Sequence, residues 1–345
     1  MDQNNKCNLR CRMCGFSDPR VANLPTYDMP RWLYDRIAAQ IFPRSRYVCL
    51  SLMTEPFMTK DFPERLRAVR DYEVPYSEVI TNGTLLTPAA VEAILDSHLS
   101  RVIVSIDGGT KATFEEIRTG ARFERVIANW ELLRSARESA ATRLPALRVN
   151  HVLSELNIDS FDDFLHLLEE LKPDEVAVRT VSRMSNAVIQ ETSDAAFWSK
   201  VRAARLRLAA FCTRTGVVDS AYLRDRPTRI ELFDEDHERL MCRYPWDILA
   251  IHPNGDVYPC MAWSRPPIGS FVSDTFDSIW HGPALAELRR EFEATRPGLD
   301  CLHCSIRRSN EDVDDDFFYR KLAKPAPPSG PPKAQPRIGE AGSDI

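Results

Sequence analysis

Cys7, Cys11 and Cys14 stand in one short run, Cys-Asn-Leu-Arg-Cys-Arg-Met-Cys. Any fold for this chain has to present that run to a metal. An iron–sulfur cube has four irons, and each needs one external ligand, usually a thiolate. The spacing C-x3-C-x2-C supplies three, so the fourth iron would stay open to a small molecule. Structural zinc wants a fourth protein ligand and a closed shell. On spacing alone zinc remains an alternative.

Seven of the nine cysteines fall into two groups, the second being Cys242, Cys260, Cys301 and Cys304. No apolar signal core heads the chain, so a cytoplasmic location is the default, and there clustered thiols mean metal or redox chemistry rather than disulfides. Four cysteines make a closed ligand set, as consistent with zinc as with iron–sulfur. Cys301-Leu302-His303-Cys304 is a two-thiolate clip. Asn254-Gly255 between two apolar runs signals a tight hairpin that returns Cys260 to the level of Cys242. The formal net charge is −5, with acids and bases intermixed, which argues against a nucleic-acid partner. No apolar run approaches the roughly 18 residues of a membrane helix, so no membrane partner is expected either.

Between residues 1 and 185 short apolar runs alternate with amphipathic stretches. Tyr47–Leu52, Ser77–Thr81, Val102–Ile106, Leu147–Leu153 and Glu175–Thr180 read as strands. Arg31–Ile41, Phe62–Tyr72, Pro88–Leu95, Phe123–Ser135 and Asp159–Leu171 read as helices, with Thr87 as N-cap and Pro88 in the first helical position. Such alternation implies parallel strands with right-handed crossovers. A first strand within Asp2–Lys6 would bring the count to six units. The expected fold is α/β, a partial (β/α)6 TIM-like barrel over 1–185. A helical connector over 186–235 would contain the helix Ser193–Thr215. A small α+β domain over 236–310 would hold the strands Asp247–His252 and Val257–Cys260 and the helices Phe276–Trp280 and Pro283–Phe292. Residues 311–345 add an acidic segment, Glu311–Asp316, and a Pro-rich tail expected to be disordered.

The cysteine triplet in its Cys-Asn-Leu-Arg-Cys setting resembles the radical S-adenosylmethionine (radical SAM) enzymes, whose fold is such an open partial barrel. The resemblance implies a three-cysteine [4Fe-4S] cluster whose open iron binds S-adenosylmethionine (SAM). The second group, with its Asn-Gly hairpin, Trp280 helix and late C-x2-C, resembles the SPASM/twitch extension of that family. Four cysteines fit the shorter twitch form, which holds one auxiliary [4Fe-4S] cluster. Their spacing is similar to that of twitch enzymes of the 2-deoxy-scyllo-inosamine dehydrogenase type.

The same resemblance assigns further residues. Met53-Thr54-Glu55-Pro56 stands where the family has a Gly-Gly-Glu segment, so Glu55 would hold the SAM amino group, although both glycines are replaced. Asn82, Ser105 and Asp107 follow apolar strands, at the barrel end where active sites sit. They suit the SAM carboxylate or the ribose hydroxyls. Met13 replaces a residue that is often aromatic and would cover adenine through its sulfur. Arg179, near the end of a strand, could serve as a base or an anion clamp. The Cys212 thiol could donate hydrogen, as in sugar epimerases of this superfamily. Cys49 reads as core, while His252 and His303 read as neighbours of the ligands or surface residues.

The expected reaction is formation of a 5′-deoxyadenosyl radical that takes hydrogen from a sugar, aminocyclitol or nucleoside-like substrate. Oxidation would follow, with the auxiliary cluster as electron acceptor and a flavodoxin or ferredoxin as external donor. Alternatives are epimerisation or decarboxylation of a similar substrate, modification of a peptide or protein, and a non-catalytic metal-binding protein. Many peptide-modifying relatives carry an extra N-terminal leader-binding domain, whereas here six residues precede Cys7, which favours a small molecule.

Overall fold

The apolar runs between residues 47 and 180 form the sheet of the computed structural model, which describes residues 1–181, 188, 189, 192, 194–220, 242–261, 263, 265–294, 301 and 324–331. Its strands are β1 (Tyr47–Cys49), β2 (Tyr76–Thr81), β3 (Arg101–Ser105), β4 (Ala146–Leu153), β5 (Glu175–Thr180) and β6 (Val218–Asp219). They lie side by side in chain order and every pair is parallel. Two helices, α1 (Pro19–Ala22) and α2 (Arg31–Ile41), precede β1. The crossovers are built from α3 (Phe62–Asp71), α4 (Pro88–Asp96), α5 (Lys111–Ile117), α6 (Phe123–Ser139), α7 (Phe161–Leu171) and α8 (Ala195–Thr215). As expected, Thr87 caps α4, its side chain accepting from Ala90 N, with Pro88 opening the helix.

Side chains alternate across the strands. Val102, Val104, Leu147, Val149, Val176 and Val178 are fully buried and join the core shared with the helices. Glu78, Arg101, Ser105, Arg148, Asn150 and Arg179 occupy the other, concave face by the same alternation. Their polarity tells that face apart from the apolar one.

Two expectations are corrected. Asp2–Lys6 is not a strand; it forms only an isolated bridge, Asn4 to Asp28. Its polar side chains replace a ladder. Asp2 Oδ1 accepts from Leu52 N at 2.8 Å and Met53 N at 3.0 Å, and Asn4 Nδ2 donates to Glu55 O at 2.9 Å. Asn and Asp favour such local bonds over strand pairing, and here the bonds also satisfy four buried polar residues in succession. The sixth strand is instead β6, reached through α8. The helix expected as a connector therefore belongs to the last crossover of the sheet.

The C-terminal part contains α9 (Tyr244–Asp247), β7 (Ala250–Ile251), β8 (Asp256–Tyr258), β9 (Gly269–Ser270), α10 (Phe276–Trp280) and α11 (Pro283–Glu293). β7 and β8 form the expected hairpin, pairing Ala250 with Tyr258, and Gly255 takes φ 91°, a value open to glycine. This sheet docks on the N-terminal segment and α2. Asp2 N donates to Ile251 O at 3.1 Å, Arg36 to Asp274 O at 3.1 Å, and Phe276 N to Gln40 Oε1 at 2.8 Å. Glu311–Asp316 lies outside the described residues. Of the tail, residues 324–331 are described and have no regular structure, and Trp32 Nε1 donates to Pro328 O at 3.1 Å. Among the described residues no helix is long and apolar enough to cross a membrane.

Candidate functional site

The cysteine run is pinned as a loop by its backbone. Arg10 N donates to Thr119 O and Arg12 N to Ile117 O, both at 2.9 Å, which ties the loop to the end of α5. Cys14 N donates to Cys11 O and Ser17 N to Cys14 O, closing two tight turns. Leu9 anchors the loop in the core. Burial pushes the Cys7 and Cys11 thiols up to about 12 and raises that of Cys14 as well. Without metal they are protonated at neutral pH, so iron binding has to release those protons.

Two nitrogen donors reach the sulfurs. Asn82 Nδ2 lies 3.9 Å from Cys7 Sγ, and Arg118 Nη1 lies 3.9 Å from Cys11 Sγ. Arg118 Nε is buried with no hydrogen-bond partner. Three thiols and two donors aimed at sulfur, one of them the buried Arg118 guanidinium, fit an anionic iron–sulfur cluster. Among the described residues no three His, Cys, Asp or Glu side chains converge on a single ion. A cube does not ask for that, because each thiolate ends on a different iron.

Glu55 and Asn82 meet at the ends of β1 and β2. The Glu55 carboxylate is fully buried: Oε1 accepts from Thr81 Oγ1 at 2.8 Å and Phe57 N at 3.3 Å, and Oε2 from Asn82 N at 2.8 Å. A carboxylate offers about four acceptor positions, so Oε2 keeps one. Burial raises the Glu55 pKa to about 7 against the pull of those donors. Asn82 also donates to Asn8 Oδ1 at 2.9 Å, and Asn8 Nδ2 donates to Thr84 Oγ1 at 2.8 Å, joining the cysteine loop to β2. Gly83, at φ 77°, has room for no Cβ: it would meet Val104 Cγ1 at 2.9 Å.

Asp107 departs from expectation. It is completely buried, and its Oδ1 accepts from Val152 N at 2.7 Å while Oδ2 lies 2.7 Å from Arg118 Nη2. It is not open toward a ribose; it holds Arg118, which holds Cys11. No local pattern points to Arg118, because its meaning appears only when β3 brings Asp107 beside it. The buried charge beside Cys11 should favour the more negative, reduced state of a bound cluster. In the pair variant Arg118→Gln/Asp107→Asn, which leaves no lone buried charge, the N-terminal cluster potential should fall by on the order of tens of millivolts at unchanged iron content, read by redox titration with EPR.

Behind Asp107 lies His151, whose ring stacks on Phe164 at 3.8 Å and whose Nδ1–H donates to Ile106 O at 2.8 Å. Burial lowers its pKa to about 4. The unfolded chain, with histidine near 6.5, therefore takes up a proton that the folded chain refuses. This contribution to stability is complete above pH 6.5 and is lost as pH falls toward 4. It steepens the loss by about 1 kcal/mol per pH unit. Urea midpoints between pH 7.5 and 5.5 should fall less in His151→Phe than in the wild type.

Other expected residues are spread. Ser105 and Arg179 lie on the concave face, half-buried and exposed respectively. Met13 is buried in the main core, with little face left for a ring. Cys49 is buried, its Sγ donating to Ser51 O at 2.9 Å. Cys212, on α8, packs against the same core as Met13 with Asp219 nearby, and its thiol is raised to about 11 by burial; the structure does not bring it to the cysteine loop. Cys242, Cys260 and Cys301 all pack on one small core of Ala250, Tyr258, Trp263, Leu285, Leu288 and Phe292. Cys304 and His303 lie outside the described residues, and His252 is buried against Tyr258.

The family model of the radical SAM superfamily matches residues 4–168, and that of the SPASM iron–sulfur cluster-binding domain matches 242–305. The AdoMet-dependent heme synthase of Methanosarcina barkeri is 32% identical over 169 residues, covering 48% of this chain and 45% of that protein. The PqqA peptide cyclase of Rhizobium meliloti is 24% identical over 246 residues, covering 66% and 58%. The chain thus spans about half the length of the curated relatives it matches. Among solved structures, Streptococcus suis SuiB bound to S-adenosylmethionine has a TM-score of 0.62 at 18% identity, covering 88% of this chain and 67% of that one. The anSMEcpe structure with bound AdoMet has a TM-score of 0.61 at 14% identity, covering 93% and 94%. These likenesses show the fold.

Proposed function

We propose that this chain, whose residues 4–168 match the radical SAM superfamily and 242–305 the SPASM iron–sulfur cluster-binding domain, is a radical SAM enzyme that oxidises a small molecule, a sugar, aminocyclitol or nucleoside-like compound, on the concave face of the sheet. Radical SAM domains carry a [4Fe-4S] cluster and SAM, and SPASM domains carry auxiliary iron–sulfur. Cys7, Cys11 and Cys14 would hold the first cluster, and Cys242, Cys260, Cys301 and Cys304 the second. When bound, these groups supply a 5′-deoxyadenosyl radical that takes one hydrogen from an unactivated C–H, and an acceptor for the electron the substrate then loses along with a proton. Glu55 would take the SAM ammonium on the remaining lone pair of Oε2. Asn82 and Ser105 would face its carboxylate or ribose. An external donor such as a flavodoxin or ferredoxin, and a reducing cytoplasmic setting, belong to the same proposal.

Support comes chiefly from the second cysteine group. Four thiolates close a cluster and leave no iron to bind substrate, which leaves electron transfer as its role. Modification of a peptide is the second reading, favoured by the match to a peptide cyclase over 66% of this chain. The test uses reduced holoenzyme, SAM and deuterated candidate substrates. Deuterium should pass into 5′-deoxyadenosine, with one SAM consumed for each product oxidised. Solvent hydrogen entering a product of unchanged oxidation state, with activity lost on Cys212→Ala, would replace oxidation by epimerisation. Turnover of peptides alone would establish the second reading.

A further inference from the structure

The strand register stacks the concave-face residues in rows. Glu78 pairs with Arg101; Ile103 with Arg148, and Arg148 with Glu175; Ser105 with Asn150; Val152 with Arg179. At the floor Arg101 donates to both Glu78 and Glu175, and the Tyr47 hydroxyl also donates to Glu78. The two carboxylates are thereby engaged. Arg148, one row higher, is only 9% exposed. Its Nε donates to Asn150 Oδ1 at 2.9 Å, and its terminal nitrogens have no acceptor among the described residues. Arg179, at the top of β5, is exposed and also has no partner among them. Burial and the repulsion of Arg101 and Arg179 lower the Arg148 pKa, so the neighbouring carboxylates do not fully offset its charge.

The terminal nitrogens of Arg148 are not sealed from solvent, so an oxyanion can replace the water that accepts from them. The planar fork of the guanidinium matches an oxyanion better than any neutral group. We propose that Arg148 and Arg179, with the Asn150 amide beside them, form an anion subsite that holds a carboxylate or phosphate of the substrate. The substrate would then be a phosphorylated or acidic small molecule, anchored toward the floor of the sheet with its reacting carbon toward the strand ends. This rests on the proposed use of the concave face for substrate.

The test is anaerobic calorimetry on reconstituted, unreduced holoenzyme under saturating SAM, with inorganic phosphate and acetate as probes. At least one anion should bind at one equivalent, and the tighter one identifies the group. Arg148→Gln should weaken it tenfold or more and Arg179→Gln several-fold, with Arg148→Lys between wild type and Arg148→Gln. Among the described residues Arg179 has no partner to strand, so its variant reports on binding even if Arg148→Gln fails to fold. The subsite is refuted if neither anion binds saturably, or if Arg179→Gln and Arg148→Lys bind as the wild type does. It is equally refuted if binding is seen only when SAM is left out, which would give the arginines to SAM's own carboxylate. Release of 5′-deoxyadenosine on reduction, measured in the same preparations, separates the two levels. Its persistence without anion binding removes the subsite alone, and its absence from the wild type removes the proposed function.

Discussion

Protein carrying Cys7→Ala, Cys11→Ala and Cys14→Ala together should leave anaerobic reconstitution with about four irons and four sulfides, where the wild type holds about eight of each. It should release no 5′-deoxyadenosine when reduced with SAM. The expectation is clean because the loop does not depend on the thiols for its shape. Its backbone is tied to Thr119 and Ile117, and Asn8 is tied to Asn82 and Thr84. Removing three sulfurs should therefore delete the ligands and leave the surrounding fold in place. Retained iron would come from the second cysteine group, whose Cys242, Cys260 and Cys301 pack on a separate small core. If the wild type binds four irons and one zinc, the second site is structural zinc and the electron-acceptor role is lost with it.

The legible parts of this chain are those whose meaning is local. The Thr87-Pro88 start of α4 and the Asn254-Gly255 turn are settled by a few neighbouring residues, and both were expected correctly. The strands β2 to β5 follow from apolar runs, and their ends fall within one residue of expectation. Asp2–Lys6 misleads because strand counting asks for a unit there. Its Asp and Asn side chains instead bond the backbone after β1, a tertiary arrangement without local signature. Asp107 looked like an open polar residue after a strand, yet Val152 N and Arg118 enclose it. Arg118 closes a short, seven-residue helix that the pattern did not suggest. Arg148 had a faint signal: Arg and Asn two apart in an otherwise apolar strand, Leu-Arg-Val-Asn-His-Val, put both on one face. Knowing which face packs on the helices took the whole sheet.

Replacing Cys260 by Ala should abolish product formation while SAM cleavage to 5′-deoxyadenosine continues, with roughly half of the iron lost. The separation follows from how the two cysteine groups are mounted. Cys260 is half-buried just beyond β8, on the core it shares with Cys242 and Cys301. The hairpin beside it is held by its own pairing and by Ile268 N donating to Val257 O at 2.8 Å, so loss of one thiol opens the ligand set rather than the hairpin. The N-terminal loop hangs on α5 and β2, and none of its anchors involves Cys260. A substrate that has given up one hydrogen atom must still lose an electron and a proton to reach the two-electron oxidised product. Without the second cluster that electron has no internal acceptor, so cleavage and product formation should uncouple. Cys260→Ser, which leaves a poorer ligand in place, should retain more iron than Cys260→Ala and uncouple less. Product formation in step with SAM cleavage in both variants would show that the substrate's electron leaves by another route. The four-cysteine site would then be a structural element of the docked C-terminal sheet.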